Sequence, residues 1–293
     1  MHSPLRQNKG ITLIELLVAL VIAGILVAAV YRTFLSQQKT YVIQDQVVDM
    51  QQNVRAGINR MMREIRMAGF GGVGDILGGG VNGPTEVITT LPSSNNSITN
   101  NNSITIVGGF NQVSTLAAEA AGGQFQVTLA NAVDASQFDG GAHHFVSIGG
   151  AESNIVSSRA GATLTLSNPL KLTHKITDPL GNPVSVPIFK IQAITYVCGV
   201  SDGKPVLQRN ENTGGGAQPL ADNIENVQFE YFDATNVNPL ALPIADPGII
   251  RMIRVTVRAR TNDPDPEYKS DGGYRIRQIA SNVHLRNMGL EGL

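Results

Sequence analysis

The stretch that decides the fold is ITLIELLVALVIAGILVAAV, residues 11–30, which contains a single charged side chain, Glu15. At a rise of ~1.5 Å per residue, a helix of this length spans the ~30 Å hydrocarbon core of a bilayer. It is preceded by MHSPLRQNKG, in which Arg6 and Lys9 add positive charge to the amino terminus, as in the first part of an export signal. The sequence predicts a basic leader over residues 1–10 and a membrane-spanning helix over residues 11–30.

The glutamate within the apolar run separates two interpretations of this segment. An ordinary secretory signal has an apolar stretch of only ~7–15 residues and fits badly, whereas a plain signal anchor fits the length. A plain anchor gains nothing from a carboxylate, which costs about 2.5–3.5 kcal/mol on insertion. If the chain is cut after Gly10, Ile11 acquires a free ammonium group that neutralises Glu15 on the same chain or on a neighbour. The helix dipole adds a smaller favourable term.

Residues 9–34, KGITLIELLVALVIAGILVAAVYRTF, resemble the N-terminus of type IV prepilins and of type II secretion pseudopilins. This resemblance implies that a prepilin peptidase cleaves after Gly10 and methylates Ile11, and that Glu15 helps to dock the subunit into a growing filament. It also implies a single pass through the inner membrane with the globular domain in the periplasm. The sequence departs from the family at Ile11, where phenylalanine is usual.

The helix is predicted to continue well beyond the membrane segment. No proline occurs between Ile11 and Pro84, and apolar residues recur every three or four positions, which predicts an amphipathic helix to about residue 68. This apolar stripe comprises Val47, Met50, Val54, Ile58, Met61, Ile65 and Ala68. The segment MMREIRMAGFG, residues 61–71, resembles the helix end of PilW-like minor pilins. Four arginines give the opposite face a basic character, interpreted as a solvated face or as a site of ion pairing between subunits; they are Arg55, Arg60, Arg63 and Arg66.

The glycine-rich segment GFGGVG, residues 69–74, matches the spacing of the dinucleotide-binding fingerprint. That fingerprint requires a preceding strand and a following helix, and here a helix precedes it. The segment is therefore interpreted as a helix stop that opens a flexible connection.

The remainder of the chain is predicted to be β-rich. Short β-branched runs separated by turn residues predict strands at residues 86–90, 103–107, 124–129, 144–148, 162–166, 188–197, 227–232, 249–260 and 274–285. Strands without intervening helices indicate antiparallel sheets. We expect an α+β, pilin-like fold with the helix over 11–70 packed on an extracytoplasmic globular domain over 71–293. Residues 93–103 and 211–219 are expected to form polar loops.

Strict alternation marks one strand clearly, because Ile253, Val255 and Val257 alternate with Arg254 and Arg258. One face of this strand is predicted to be buried, and its arginine face to meet solvent or another subunit. The preceding QPLADNIENVQFEYFD, residues 218–233, and the terminal ASNVHLRN, residues 280–287, resemble the C-terminal sheet of PilW-like and J-type pseudopilin proteins.

Catalytic signals are weak. The five histidines are scattered, and no HExxH, GxSxG or Walker-type pattern occurs. His143 and His144 point to opposite faces of a strand, which disfavours joint metal binding. The carboxylates of NDPDPE, residues 262–267, lack a calcium-loop spacing and are interpreted as a solvated turn. The single cysteine, Cys198, excludes an intrachain disulfide and is interpreted as a buried small apolar residue.

The sequence therefore predicts a structural subunit without a cofactor or metal, and not an enzyme. A minor type IV pilin that primes or caps pilus assembly is the favoured function, and its size supports a minor role. The alternatives are a J-type minor pseudopilin of type II secretion and a membrane-anchored periplasmic binding module or hydrolase. The expected partners are the prepilin peptidase, other minor pilins, the major pilin, the inner-membrane assembly platform and, before assembly, membrane lipid. Nucleic acid is not indicated, because the net charge is only −1.

Overall fold

A computed structural model describes residues 11–76, 88–89, 98–139, 144–235 and 237–288. The predicted leader with Gly10, the isolated His2, His143 and most of the predicted strand over 86–90 lie outside these residues. The chain divides into two compact units, Met1–Asp49 and Met50–Leu293.

A single helix, α1, runs from Leu13 to Arg66 and ends close to the predicted position. In the first unit its side chains are almost all exposed, and the helix is long and apolar enough to cross a membrane. In the second unit one stripe of the helix is buried, as predicted; it consists of Met50, Val54, Gly57, Ile58, Met61 and Ile65. A Cβ on Gly57 would stand 2.7 Å from the Cβ of Ala221, so a glycine permits the close approach of helix and sheet.

The second unit is built from antiparallel strands, which confirms the predicted α+β class. The strands are β1 Ile88–Thr89, β2 Ser103–Thr115, β3 Gln126–Thr128, β4 Phe145–Ile148, β5 Glu152–Ala160, β6 Thr163–Leu166, β7 Pro187–Ser201, β8 Lys204–Asn210, β9 Ala217–Asp222, β10 Ile224–Phe232, β11 Met252–Arg260 and β12 Ile276–His284. One short helix, α2, spans Ala132–Ala135. Three of these strands, β5, β8 and β9, are not among the predicted ones, and β9 takes in the end of the predicted polar loop over 211–219.

The larger sheet has nine strands in the order β1-β2-β7-β4-β5-β6-β3, with β8 and β9 branching from β7. It curls so far that Leu129, just after β3, bridges back to Leu116, just after β2. The curled part encloses its own apolar core, which includes Leu129, Phe138, Val146, Ile148, Leu164 and Ile188.

The smaller sheet has three strands in the order β10-β11-β12. The alternation predicted for β11 is confirmed, because Ile253, Val255 and Val257 are buried and the arginines between them are not. The outer edge of β10 is partly covered: the Phe229 amide donates to the Asn101 carbonyl at 2.7 Å, and the Leu240 amide donates to the Tyr231 carbonyl at 2.7 Å.

The turn after α1 is packed rather than flexible, so the predicted flexible connection is wrong for residues 69–76. The Gly69 amide donates to the Val107 carbonyl at 2.8 Å, and the Gly109 amide donates to the Phe70 carbonyl at 2.9 Å. Gly72 has a φ of +67°, and a Cβ there would stand 2.6 Å from the Ala151 carbonyl oxygen. The glycines let this turn lie directly against the larger sheet.

Candidate functional site

The start of α1 is closed by reciprocal hydrogen bonds between Thr12 and Glu15. The Thr12 amide and the Thr12 hydroxyl both donate to Glu15 Oε2, each at 2.9 Å. In return the Glu15 amide lies 3.4 Å from Thr12 Oγ1. Thr12 directly precedes the first helical residue and Glu15 is the third, so this is the T-x-x-E capping box, which satisfies two otherwise unpaired amides. Thr12 was not among the predicted site residues, although the T-x-x-E spacing indicates a helix cap.

The predicted cleavage junction lies just before this cap. Ile11 precedes the first helical residue, and its side chain is 79% exposed. The assignments of cleavage after Gly10 and methylation of Ile11 remain predictions.

Glu15 lies on an apolar surface that nothing in its own unit covers. Its side chain lines a shallow groove with Ile14, Val18, Ala19 and Ile22. Within the described residues, only Thr12 bonds the Glu15 carboxylate, and Glu15 Oε1 has no partner there. An apolar surface of this extent requires lipid or another protein around it. The Glu15 carboxylate therefore lies on the exposed apolar surface of the helix, where lipid or another protein would contact it.

A cluster of polar side chains around Glu64, which was not predicted from the sequence, links the end of α1 to the larger sheet. Glu64 Oε2 accepts hydrogen bonds from the hydroxyl of Tyr196 at 2.5 Å and from Nε of Arg209 at 3.0 Å. Arg209 also donates to Glu211 at 2.5 Å, and Arg60 donates to Glu64 Oε1 at 3.3 Å. The Tyr196 side chain is fully buried and that of Arg209 nearly so.

The pKa values in this cluster follow from burial and from the Glu64 carboxylate. Burial, reinforced by the hydrogen bond to Glu64, raises the pKa of Tyr196 far above its usual range, so the phenol stays neutral. Burial alone would lower the pKa of Arg209, but its hydrogen bonds to Glu64 and Glu211 outweigh that effect and raise it. The cluster is therefore a buried ion pair with a neutral phenol donor, which is an anchor rather than a proton relay.

A third polar pair is buried beside the curled core. Nε2 of His174 lies 2.7 Å from Glu152 Oε1, and both side chains are less than 10% exposed. Glu152 Oε2 also accepts from the amides of Lys171 and Leu172, at 2.8 and 3.3 Å. These contacts fix the segment after β6 against β5. His144, the described member of the predicted His143–His144 pair, instead lies 3.0 Å from the Phe138 carbonyl oxygen through Nδ1.

The predicted arginine face of β11 is neutralised within the molecule. Arg254 pairs with Glu230 at 3.4 Å, and Arg258 pairs with Glu225 at 3.0 Å, both across the β10–β11 ladder. Arg258 also reaches Asp271 at 2.9 Å. These ion pairs hold the outer face of the sheet together, so the arginines are not free to attract a charged partner.

The acidic turn NDPDPE was predicted to be solvated, and this prediction is wrong for Asp265. Asp265 is only 5% exposed; it accepts from Arg275 at 2.7 Å and from the Glu267 amide at 3.0 Å. Asp265 therefore stabilises the turn and links it to Arg275. Across the part of the chain that the structure describes, no three His, Cys, Asp or Glu side chains are grouped so as to hold a metal ion.

Cys198 is half-buried in β7, opposite Leu207. Burial raises the pKa of its thiol to about 11, so the thiol is protonated and unreactive at neutral pH. This environment agrees with the interpretation of Cys198 as a small apolar residue.

Comparison with known proteins bears on the first of these sites. Residues 5–31 match a family model described as the prokaryotic N-terminal methylation motif. This range includes the predicted junction at Gly10 and Ile11, the cap at Thr12 and the carboxylate of Glu15. No curated protein and no solved structure matches the chain. With this motif at the start of a long apolar helix, and an antiparallel β domain after it, the chain is identified as type IV prepilin-like.

Proposed function

We propose that the chain is a minor type IV pilin, a structural subunit that primes or caps pilus assembly after cleavage behind Gly10 and methylation of Ile11. The observation that carries this proposal is the N-terminal methylation motif over residues 5–31. It heads a helix whose apolar segment over residues 13–30 is exposed and carries a single carboxylate, that of Glu15, in the first turn.

Cleavage changes the electrostatics of the first turn. Before it, Glu15 has only the amide and hydroxyl of Thr12 as partners within the described residues. Afterwards the new Ile11 ammonium lies one residue from Thr12 and next to the capping box. An ammonium is a stronger partner for a carboxylate than a neutral amide, above all where the dielectric constant is low. Docking then consists of bringing the ammonium of one subunit to the carboxylate of another.

We also propose where the subunit is located and which proteins it contacts. The apolar half of α1 holds the subunit in the inner membrane, with the β domain in the periplasm, and afterwards in the pilus at the cell surface. Its partners are the prepilin peptidase, the inner-membrane assembly platform, other minor pilins and the major pilin, with lipid around the helix before assembly. The activity is assembly rather than catalytic turnover.

A minor role is favoured by the domain that follows the helix. A unit with twelve described strands is bulky to repeat along an entire filament. The likeness of residues 61–71 and of the C-terminal sheet to PilW-type minor pilins supports the same role. A J-type pseudopilin of type II secretion would share these features, so the system that the subunit serves needs a separate test.

Mass spectrometry of the mature N-terminus tests the class. We expect a chain that begins at Ile11 with a methylated amino group. A chain that retains Met1, or that begins well beyond Ile11, would exclude the pilin function and leave a plain membrane-anchored module.

Deletion of the gene tests the system. Loss of twitching or of surface pili with normal protein secretion is expected for a minor pilin. The reverse result, loss of secretion with normal pili, would assign the chain to type II secretion instead.

A further inference from the structure

Among the described residues, strand β12 has no pairing partner on the side away from β11. The Leu285 amide donates to the Arg251 carbonyl at 2.9 Å, and the Thr261 amide donates to the Arg275 carbonyl at 3.0 Å. Hydrogen-bonded pairs alternate along an antiparallel ladder, so the odd-numbered residues of β12 bond to β11. The even-numbered residues therefore direct both their amides and their carbonyls away from the sheet; they are Ile276, Gln278, Ala280, Asn282 and His284.

This edge is open within the described part of the chain. No backbone hydrogen bond joins the outward groups of β12 to any other described residue. The side chains of Gln278, Ala280, Asn282 and His284, on the outer face of the same strand, are exposed. Nine consecutive residues thus form an unpaired edge at the end of the smaller sheet.

Two other edge strands, β10 and β9, have features that hinder pairing. The outer edge of β10 is met by Asn101 and Leu240, as described above, and the edge strand β9 contains Pro219, which has no amide to offer. Natural proteins protect exposed edges by such coverage or with proline, bulges and charges. Strand β12 has no proline, an unbroken register with β11 and a single charged residue, Arg277.

The edge itself specifies the kind of partner that fits it. Amides and carbonyls at alternate residues are matched only by another extended backbone, which adds a strand to the sheet. On the inner face of β12, Ile279 is half-buried and Val283 is buried, which favours aliphatic residues opposite them. Two exposed arginines lie near the ends of the strand, Arg277 at its second position and Arg286 just after it, and within the described residues neither has an acidic partner. They favour acidic residues near the ends of the guest segment.

We propose that the outer edge of β12 binds an extended segment of a partner protein, with aliphatic residues on its inner face and acidic residues near its ends. The segment becomes the fourth strand of the smaller sheet. This interaction does not depend on the filament function proposed above, because it rests only on the geometry and charge of the second unit.

Hydrogen exchange tests the proposal on the full chain in detergent micelles. The probe is a synthetic peptide as long as β12, with alternating valine and threonine and a glutamate near each end. At saturating peptide, exchange of the Gln278, Ala280 and Asn282 amides should slow by roughly tenfold or more. The Ile279 and Ser281 amides, which bond to β11, should exchange slowly with or without it. Unchanged exchange of the three outward amides would overturn the proposal.

Two controls distinguish strand pairing from loose association. A peptide with the same sequence but N-methylated on its pairing edge should give no protection. Ala280→Pro removes an outward amide without touching the ladder to β11 and should abolish protection, whereas Ala280→Val should retain it. Protection by the methylated peptide, or equal protection of the proline variant, would contradict strand addition. Replacing the peptide glutamates with lysines should weaken binding, and equal binding would contradict the acidic preference.

Discussion

At the scale of single residues, the arrangement at Thr12 and Glu15 shows how a carboxylate is kept in an apolar helix. The side chain is satisfied by its own helix terminus, since Glu15 Oε2 accepts two hydrogen bonds from Thr12. The cap stabilises the first helical turn and orients the carboxylate at the same time. In the docking step that we propose, the oriented Glu15 carboxylate would exchange its hydrogen bonds to Thr12 for an ammonium of a second subunit.

Glu15→Ala should separate membrane insertion from assembly. Insertion should persist or improve, because removing the charge removes a cost of about 2.5–3.5 kcal/mol. Incorporation into filaments should fall strongly, because no carboxylate remains to meet an ammonium. The measurement is the amount of processed chain in membranes compared with sheared filaments, with Glu15→Asp as a control that keeps the charge. Normal incorporation of the alanine variant would contradict the docking role.

Thr12→Val should weaken the capping box while preserving shape. The valine retains the backbone amide but loses the hydroxyl that bonds Glu15, at a cost of about 1 kcal/mol for loss of a helix cap. Faster amide exchange in the first turn of α1, in detergent micelles, is the expected result. Thr12→Ser keeps a hydroxyl and should behave like the natural chain; equal exchange in all three proteins would show that the cap does not form.

At the scale of elements, the second half of α1 is fixed by a buried stripe and by the Glu64 cluster. The apolar stripe provides most of the burial, while the ion pair between Glu64 and Arg209 fixes which helix turn meets β8. A buried ion pair adds little net stability but is costly to break, since the remaining charge is left without a partner.

Glu64→Gln should therefore destabilise the second unit substantially. The variant leaves Arg209 nearly buried with only Glu211 as an anionic partner, and we expect a loss of about 3 kcal/mol in the free energy of unfolding. Urea unfolding followed by far-ultraviolet circular dichroism measures it. Glu230→Gln, which breaks the exposed pair with Arg254, is the matched control and should cost less than about 1 kcal/mol. Equal losses would mean that the Glu64 cluster is not an anchor.

The elements were predictable to different degrees, for physical reasons. Strand β11 alternates between buried and half-buried positions, and the apolar residues of α1 form a long run followed by a stripe at helical spacing. Both elements could therefore be predicted. Strands β5, β8 and β9 could not, because polar residues such as Glu152, Asn154 and Arg209 occupy buried positions in β5 and β8, and β9 contains a proline. Their polar side chains are satisfied by partners far away in sequence: Glu64 and Arg209 are 145 residues apart.

At the scale of the whole molecule, two buried tyrosines and the half-buried Cys198 make the fold sensitive to alkali. Burial raises the pKa of Cys198 from 9.0 to about 11, and it raises those of Tyr196 and Tyr231 far above their usual value of 10.0. The Tyr231 hydroxyl is buried without a hydrogen-bond partner among the described residues. In each case the folded state favours the protonated form. Their contribution to stability is complete below the unfolded pKa and is lost as the pH rises toward the folded one.

The urea midpoint should consequently fall between pH 8 and pH 11, with the decline starting near the ordinary pKa of 9.0 for the cysteine thiol. Cys198→Ala removes one of the three groups and should make the decline shallower. Tyr268→Phe, at a half-buried tyrosine that contacts Arg275, leaves Cys198, Tyr196 and Tyr231 in place and serves as the control. A midpoint independent of pH over this range would contradict the burial of these groups.

The topology of the larger sheet could not be predicted, because it depends on contacts between residues that are distant in sequence. Its closure depends on the contact of Leu116 with Leu129 and on the burial of the His174–Glu152 pair, neither of which produces a local pattern. The N-terminal site was easier to predict, because the predicted cleavage junction, the apolar segment and Glu15 all lie within residues 10–30. Sites that are contiguous in sequence can be predicted from it, and sites assembled by distant strands cannot.

The difference between the two edges of the smaller sheet sets a limit on self-assembly. Among the described residues, Asn101 and Leu240 occupy hydrogen-bonding positions along the outer edge of β10. Strand β12 of one molecule therefore cannot pair along the full length of β10 in the next, because some of those groups are already bonded within the molecule. The smaller sheets of successive molecules thus cannot merge into the continuous sheet of a fibril.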